Sequence, residues 1–344
     1  MARIVMADDG ISFDGTTPEK GPLGGAESSF VNLAETLAAR GHSVEVCNKC
    51  EKPIDHKGVA WRRIDDGLPE WADLFIANRG DKLILAMPGA RKTIFWTHNP
   101  ANYMLKWRYL WKMAAKRPDI VFIGTYHATT YPAWAPGGQR HVIPYGIPEM
   151  FRSAEPGLAL PPPRAVFTSN PLRSLDWLLD LWAKQIQPAV PGAELHIFSG
   201  AATYGSVGDA KAEAMTRVLA QAEAMKDKGV VLRGPVPKAQ LVLEFRQARC
   251  LLYKGDINET FCLAVGEAQA MGVPAVVKPI GSVVERVVED RTGHIASSDK
   301  AFAEGAIKLL ADEAHWRTLH QGALELQRRW GWQDAAAAFE ALLP

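Results

Sequence analysis

The sequence predicts an α/β protein of two domains, each built on a parallel sheet. The first observation is length: 344 residues exceed the ~100–200 of a usual single domain. The second is alternation. Short β-branched runs alternate with longer amphipathic stretches, as in βαβ units, and no internal repeat or low-complexity tract interrupts them. The third is a proline-rich middle, Ile143-Pro144-Tyr145-Gly146-Ile147-Pro148 followed by Glu155-Pro156-Gly157 and Pro161-Pro162-Pro163. Proline removes backbone donors and stiffens the chain, so this stretch suits a connection between domains rather than a sheet strand.

In the first half, strands are expected at Arg3–Ala7, Ser43–Cys47, Val59–Arg63, Leu74–Ala77, Thr93–Thr97 and Ile120–Ile123. Helices are expected at Ala26–Arg40, which Gly41 stops, at Tyr103–Ala115, and near His127–Trp134. In the second half the strands read Ala165–Thr168, Glu194–Phe198, Val230–Leu232, Cys250–Tyr253 and Ala275–Val277. Their helices read Leu175–Gln185, Ala210–Met225, Lys238–Ala248, Leu263–Met271 and Val283–Glu289, with helical segments from Ala301 to Leu343. The expected domains are 1–148 and 149–325, with 326–344 returning as a helix to the first.

Composition excludes several classes. With 47% hydrophobic and 22% charged residues the chain is too apolar for disorder. Thirty-nine basic residues against 38 acidic ones leave a net charge of +1, unlike a dedicated nucleic-acid binder. No apolar run approaches the roughly 18–20 residues that cross a bilayer, and Asp8-Asp9 follow the first apolar residues too soon for a signal-peptide core. Four cysteines make no disulfide framework, so a cytoplasmic location is expected. Cys47-Asn48-Lys49-Cys50 lacks a matching second pair, and no metal site is expected despite the flanking His42 and His56.

Two stretches carry chemistry. Gly21-Pro22-Leu23-Gly24-Gly25-Ala26-Glu27 leads into a helix, where glycines let backbone amides approach an anion. The dinucleotide and Walker glycine patterns are both absent. The second stretch is Asn258-Glu259-Thr260-Phe261-Cys262-Leu263-Ala264-Val265-Gly266-Glu267-Ala268, after the strand Cys250–Tyr253. A helix starting near Thr260 would turn the amides of Thr260, Phe261, Cys262 and Leu263 toward a phosphate or carboxylate. Glu267 is a carboxylate on an otherwise apolar helix, which costs free energy unless it is hydrogen-bonded, for example to a hydroxyl-bearing ligand.

The pair Glu259 and Glu267, with Phe261, Glu267-Ala268 and Met271-Gly272-Val273-Pro274, resembles the E-x7-E region of the retaining glycosyltransferases of family 4. Gly24-Gly25-Ala26-Glu27, Val142-Ile143-Pro144-Tyr145-Gly146-Ile147, Gly281-Ser282-Val283-Val284-Glu285, Asp290-Arg291-Thr292-Gly293 and Trp330-Gly331-Trp332 are similar to further family segments in the same order. The resemblance implies the GT-B fold, two Rossmann-like domains facing a central cleft. It implies that Glu267 holds the donor ribose and Glu259 the transferred sugar. The amides of 260–263, with Gly24 and Gly25, would receive the diphosphate, and Gly234 and Val236 would lie at the nucleobase. Arg173 stands where the family has a lysine, and Thr168 where it has an arginine. Both loop glycines of the family pattern are replaced in Glu259-Thr260-Phe261-Cys262. Trp96-Thr97-His98-Asn99-Pro100 resembles the acceptor-side histidine segment, with Tyr126 and His127 as further acceptor-side candidates.

The function implied is a metal-independent, cofactor-free, retaining hexosyltransferase using a nucleotide-diphosphate sugar and a hydroxyl acceptor. His98, Arg173 and Glu259 would do the chemistry. Other readings are a different GT-B reaction such as phosphorolysis, or a non-catalytic nucleotide-sugar-binding protein. On the expected helix through 104–117, Trp107, Leu110, Trp111 and Ala114 share one face and Arg108, Lys112 and Lys116 another. Packing of the tryptophans on the first sheet is expected, with a peripheral membrane contact through 104–117 as the other reading.

Overall fold

The computed structural model describes residues 1–21, 23–155, 160–200 and 211–344. Pro22 of the first glycine stretch, Pro156-Gly157 of the linker and Ala210, the expected start of one helix, lie outside the described residues. The chain divides into one unit of Met1–Gly146 with Trp332–Pro344 and a second of Ile147–Gly331.

The first unit holds an eight-stranded sheet in the order β3-β4-β2-β1-β5-β6-β7-β8. Its strands are β1 Arg3–Asp8, β2 Ser43–Asn48, β3 Ile54–His56, β4 Val59–Arg63, β5 Ala72–Asn78, β6 Ala90–Trp96, β7 Asp119–Phe122 and β8 Arg140–Val142. All neighbours pair in parallel except β3 with β4. The short β3 and β8 escape the sequence pattern because neither carries an apolar run. Helix Gly25–Ala39 buries Phe30, Leu33, Ala34 and Leu37, a spacing that makes one face at 3.6 residues per turn.

The second unit holds six strands in the order β11-β10-β9-β12-β13-β14, all parallel. They are β9 Arg164–Phe167, β10 Glu194–Ile197, β11 Val230–Leu232, β12 Cys250–Tyr253, β13 Ala275–Val277 and β14 Gly293–Ile295. Helix Leu263–Ala270 follows β12 and is buried from Val265 to Ala270. Gly266 is required there by close approach, since a Cβ would sit 2.7 Å from Ile147 Cδ1.

In each sheet the first strand lies beside one reached by a crossover, β1 beside β5 and β9 beside β12. At such a switch point the loops leaving the two strands diverge and open a crevice at their carboxyl ends. The parallel-sheet fold class is as expected.

Several elements differ from the sequence reading. Tyr103–Ala115 is two elements, a 3-10 segment Ala101–Leu105 and a helix Trp107–Lys116, because extended Lys106 starts the second. Leu175–Gln185 becomes helix Leu175–Leu181 followed by a π-turn Trp182–Ile186, the widening expected when Pro188 cannot donate to the carbonyl four residues back. The helix near His127–Trp134 stops at Thr129, with Pro132 close behind. Val283–Glu289 is a 3-10 turn Gly281–Glu285, after which Asp290 takes a left-handed φ of 56° and turns the chain into β14.

The second unit runs past residue 325 to Gly331. Helix Glu313–Gln327 stays with it, and Arg328 donates to the carbonyls of Ala270 and Ala154 at 2.8 and 2.7 Å. Only helix Trp332–Glu340 belongs to the first unit, where Phe339 meets Trp96 edge-on at 5.2 Å.

Candidate functional site

In the second unit the switch point between β9 and β12 gathers three of the expected residues, Arg173, Glu259 and Cys262. Arg173 comes from the loop after β9 and Glu259 from the loop after β12. Their side chains form an ion pair, and Tyr253, the last residue of β12, donates its hydroxyl to Glu259 Oε2 at 2.9 Å. The other carboxylate oxygen, Oε1, accepts the Cys262 amide at 3.2 Å. Thus the Cys262 amide, expected to face a phosphate, is engaged by Glu259. The loop is pinned from behind by Ser282 N, which donates to the Glu259 carbonyl at 3.0 Å. Cys262 enters the helix with φ 65°, a strained value for a residue with a Cβ.

Burial by itself would depress the Arg173 pKa, but Glu259 beside it raises it instead, so the guanidinium stays charged. Burial likewise pushes the Tyr253 hydroxyl and the Cys262 thiol up, so both stay protonated at neutral pH. Glu267 is 3% exposed and forms an ion pair with Lys238 at the start of helix Lys238–Phe245. Lys238 Nζ also lies 5.7 Å from the Phe151 ring centroid. Gly234 has φ 71°, Val236 is half-buried, Thr260 and Phe261 are buried, and Leu263 begins the helix. The sequence reading missed Tyr253 and Lys238. Tyr253 had a signal, a polar side chain ending a buried strand; Lys238 had none.

The first unit builds a second cluster at its own switch point. Asp8 ends β1, Asn78 ends β5 and His98 follows β6, all nearly inaccessible. Asp8 accepts from Arg79 Nε at 3.2 Å and from the Gly10 amide at 2.8 Å. Asn78 Nδ2 donates to Asp8, so its Oδ1 faces His98 Nε2. His98 Nε2 therefore carries the proton, and Nδ1 accepts the Tyr145 hydroxyl. Burial, then the charge of Arg79, holds His98 well below the usual histidine range, so the ring is neutral. Trp96 packs against it at 4.6 Å. Asp8, Asn78, Arg79 and Tyr145 were not singled out from sequence, although Asp8 ending an apolar strand is a readable signal.

The other acceptor-side candidates are placed as follows. His127 is buried; its Nδ1 accepts the Ile123 amide at 3.2 Å and its Nε2 donates to the Asn99 carbonyl at 2.8 Å. Asn99 is exposed and Tyr126 half-buried. Gly24 caps helix Gly25–Ala39, and Glu27 in that helix's first turn bonds Arg79 at 2.7 Å. Cys47 is buried in β2, and its thiol is pushed up to about 12, first by that burial. Among the described residues, the grouping of His, Cys, Asp and Glu tight enough for a metal ion is Glu289, Asp290 and His294, at the β14 edge.

Residues 162–312 match the family described as glycosyl transferases group 1. A D-inositol 3-phosphate glycosyltransferase from Xylanimonas cellulosilytica is 32% identical over 136 residues, which are 39% of this chain and 32% of the relative. The match thus spans about a third of that relative's length. Among solved structures, sucrose-phosphate synthase from Thermosynechococcus elongatus superposes with TM-score 0.74 at 16% identity, covering 99% of this chain and 98% of that one. The Anabaena protein Alr3699/HepE, solved with UDP and glucose, gives TM-score 0.73 at 13% identity, covering 100% and 99%.

The fold is therefore GT-B. The match of residues 162–312 to the group 1 glycosyl transferases agrees with the family 4 resemblance read from the sequence.

Proposed function

We propose that this protein transfers a sugar, with retention at the anomeric carbon, from a nucleotide-diphosphate sugar to a hydroxyl acceptor. The observation that carries the reading is the pairing of Arg173 with Glu259 at the second sheet's switch point, within the matched segment 162–312. In this reading Glu259 meets the sugar hydroxyls and Glu267 the ribose. Arg173 and the amides at the start of helix Leu263–Ala270 hold the leaving diphosphate. Charge grows on that diphosphate as the glycosidic bond breaks, and its oxygen takes the proton of the incoming hydroxyl on the same face. No side chain becomes covalently attached, and fixed cations and amide donors supply the stabilisation that a metal would otherwise provide. Neutral His98 contacts the transferred sugar or the acceptor.

Support for a nucleotide-sugar donor comes from the neighbour solved with UDP and glucose. The test is a panel of UDP-, GDP- and ADP-sugars followed by thermal shift and by sugar release. A ligand at about a hundred times its dissociation constant adds roughly 2.7 kcal/mol of stability. Absence of any stabilised donor overturns the reading. Binding without release or transfer favours a binding protein instead.

For location we propose a cytoplasmic protein that touches a membrane peripherally. The expected packing of tryptophans on the sheet is overturned. Helix Trp107–Lys116 buries Tyr109 and Met113, leaving Trp107 76% and Trp111 42% exposed. Trp134, 71% exposed, lines one surface hollow with Ala114, Arg117 and Arg140. Exposed tryptophans beside Arg108 and Arg117 suit an anionic lipid surface. Co-sedimentation with anionic vesicles at low salt is expected, and the double variant W107A/W111A is expected to stay in the supernatant. If wild type also stays there, the contact does not exist.

A further inference from the structure

We propose that Arg286 supplies the second cation of the diphosphate site, the one whose usual position is held by Thr168. The inference rests on the donor reading above and names a residue that reading does not use. Its guanidinium carbon lies 4.4 Å from the centroid of Phe261, in the stretch that leads into helix Leu263–Ala270. Its position follows from the fold: the 3-10 turn Gly281–Glu285 leaves the carboxyl end of β13, beside β12, and Arg286 ends that turn.

The charge of Arg286 is balanced only from beyond ion-pair distance, by the neighbouring Glu285. Among the described residues no carboxylate forms an ion pair with it, and its buried Nε has no hydrogen-bond partner. Burial holds its guanidinium below the usual arginine range. A desolvated charge with no ion-pair partner costs free energy that an isolated fold has no reason to retain. A bound anion removes that cost. Two more orphaned groups follow the carboxyl ends of strands in the same sheet: Thr168 Oγ1 just after β9, and Ser282 Oγ, four residues before Arg286. Ser282 is wholly buried, and its amide holds the Glu259 carbonyl, which ties this turn to the loop bearing Glu259. Buried donors with no internal partner, on a turn tied to the loop that leads into helix Leu263–Ala270 and with no carboxylate in ion-pair contact, call for an anion of high charge. By contrast Arg173 is already paired with Glu259, so it is not the unsatisfied cation.

The test uses the whole chain, with Arg286→Met to keep the stem against Phe261 and Arg286→Lys to keep the charge. Calorimetric titrations with UDP, uridine and inorganic pyrophosphate are compared. UDP and pyrophosphate affinities are expected to fall at least tenfold in the Met variant and less in the Lys variant, while uridine affinity stays within twofold. In buffer free of multivalent anions the Met variant is expected to melt above wild type, because it lacks the desolvated charge. Pyrophosphate should then raise the wild-type Tm more than the variant's. Equal UDP affinity in wild type and the Met variant overturns the assignment, as does a lower melting temperature for the variant without anion. If wild type binds no nucleoside diphosphate but pyrophosphate still stabilises it through Arg286, the anion site stands and the donor reading falls.

Discussion

Single side chains show how the two clusters differ. Glu267 is buried and its ionic partner among the described residues, Lys238, is 37% exposed, so a ligand can take over the carboxylate while the ammonium returns to water. Glu267→Gln keeps the shape but removes the charge. It is expected to weaken nucleoside diphosphate binding by about 1.5–3 kcal/mol, the range for hydrogen bonds to a charged group. Calorimetry checks it, and unchanged affinity in a folded variant would place the ribose elsewhere. His98 is a different case, because its tautomer is dictated by a chain of donors that ends on Asp8. Long-range proton–nitrogen NMR on ¹⁵N-histidine protein is expected to show it as the neutral Nε2–H form at pH 7.

His127 gives a pH signature of its own. Burial lowers its pKa to about 4, so between that value and the ordinary 6.5 the unfolded chain holds a proton that the folded chain does not. Stability therefore rises with pH across this window and is lost as pH falls through it. Melting curves from pH 7 to 4 should show a shallower loss in His127→Gln than in wild type.

Among the elements, the returning helix Trp332–Glu340 is the one whose role is set by contacts far away in sequence. Phe339 packs on Trp96, the ring that also backs His98, and Glu340 accepts from Arg40 Nε and from His42. The Arg40 hydrogen bond, assisted by His42, lowers the Glu340 carboxyl to about 2. Its contribution is thus present above the ordinary glutamate value of 4.5 and is lost as pH falls toward 2. Glu340→Gln should destabilise the first unit at pH 7, and the difference from wild type should close below pH 3. A constant difference in melting temperature down to pH 2 would mean that packing, not charge, holds the helix. The basic helix Trp107–Lys116 makes the opposite point. The sequence pattern expects its tryptophan face to be the buried one, yet Tyr109 and Met113 are what the first unit covers. Periodicity identifies a stripe of side chains on a helix, not the neighbour that the stripe meets.

For the whole molecule, the two units have unequal chain connectivity. The second is continuous from Ile147 to Gly331, whereas the first needs Trp332–Pro344 to be complete. Glu259, Glu267, Arg173, Tyr253, Lys238 and Arg286 all lie in the continuous unit. Expressed alone, residues 147–331 are expected to fold and to bind a nucleoside diphosphate within about tenfold of the full chain, since each tenfold is ~1.4 kcal/mol. A folded fragment without affinity would assign a required contact to the first unit. Residues 1–146 alone are expected to unfold at lower temperature than the intact protein, because Trp96 loses Phe339.

What the sequence determined by itself was local. β-branched runs place the long strands, because burial on both faces of a parallel sheet demands continuous apolar residues. The spacing from Glu259 to Glu267 places a loop carboxylate and a helix carboxylate on one element, and a helix turn is a local property. The short edge strands β3 and β8 were illegible, since a partner strand rather than their own composition makes them strands. The partners of the charges were decided only by tertiary structure. Tyr253 reaches Glu259 within six residues, but Arg173 lies 86 residues from it and Lys238 lies 29 from Glu267. Arg79 lies 71 from Asp8, and Arg286 has no ion-pair partner among the described residues. Charge pairing acts over a few ångströms of space, and which residues share those ångströms depends on strand order, which no local pattern encodes.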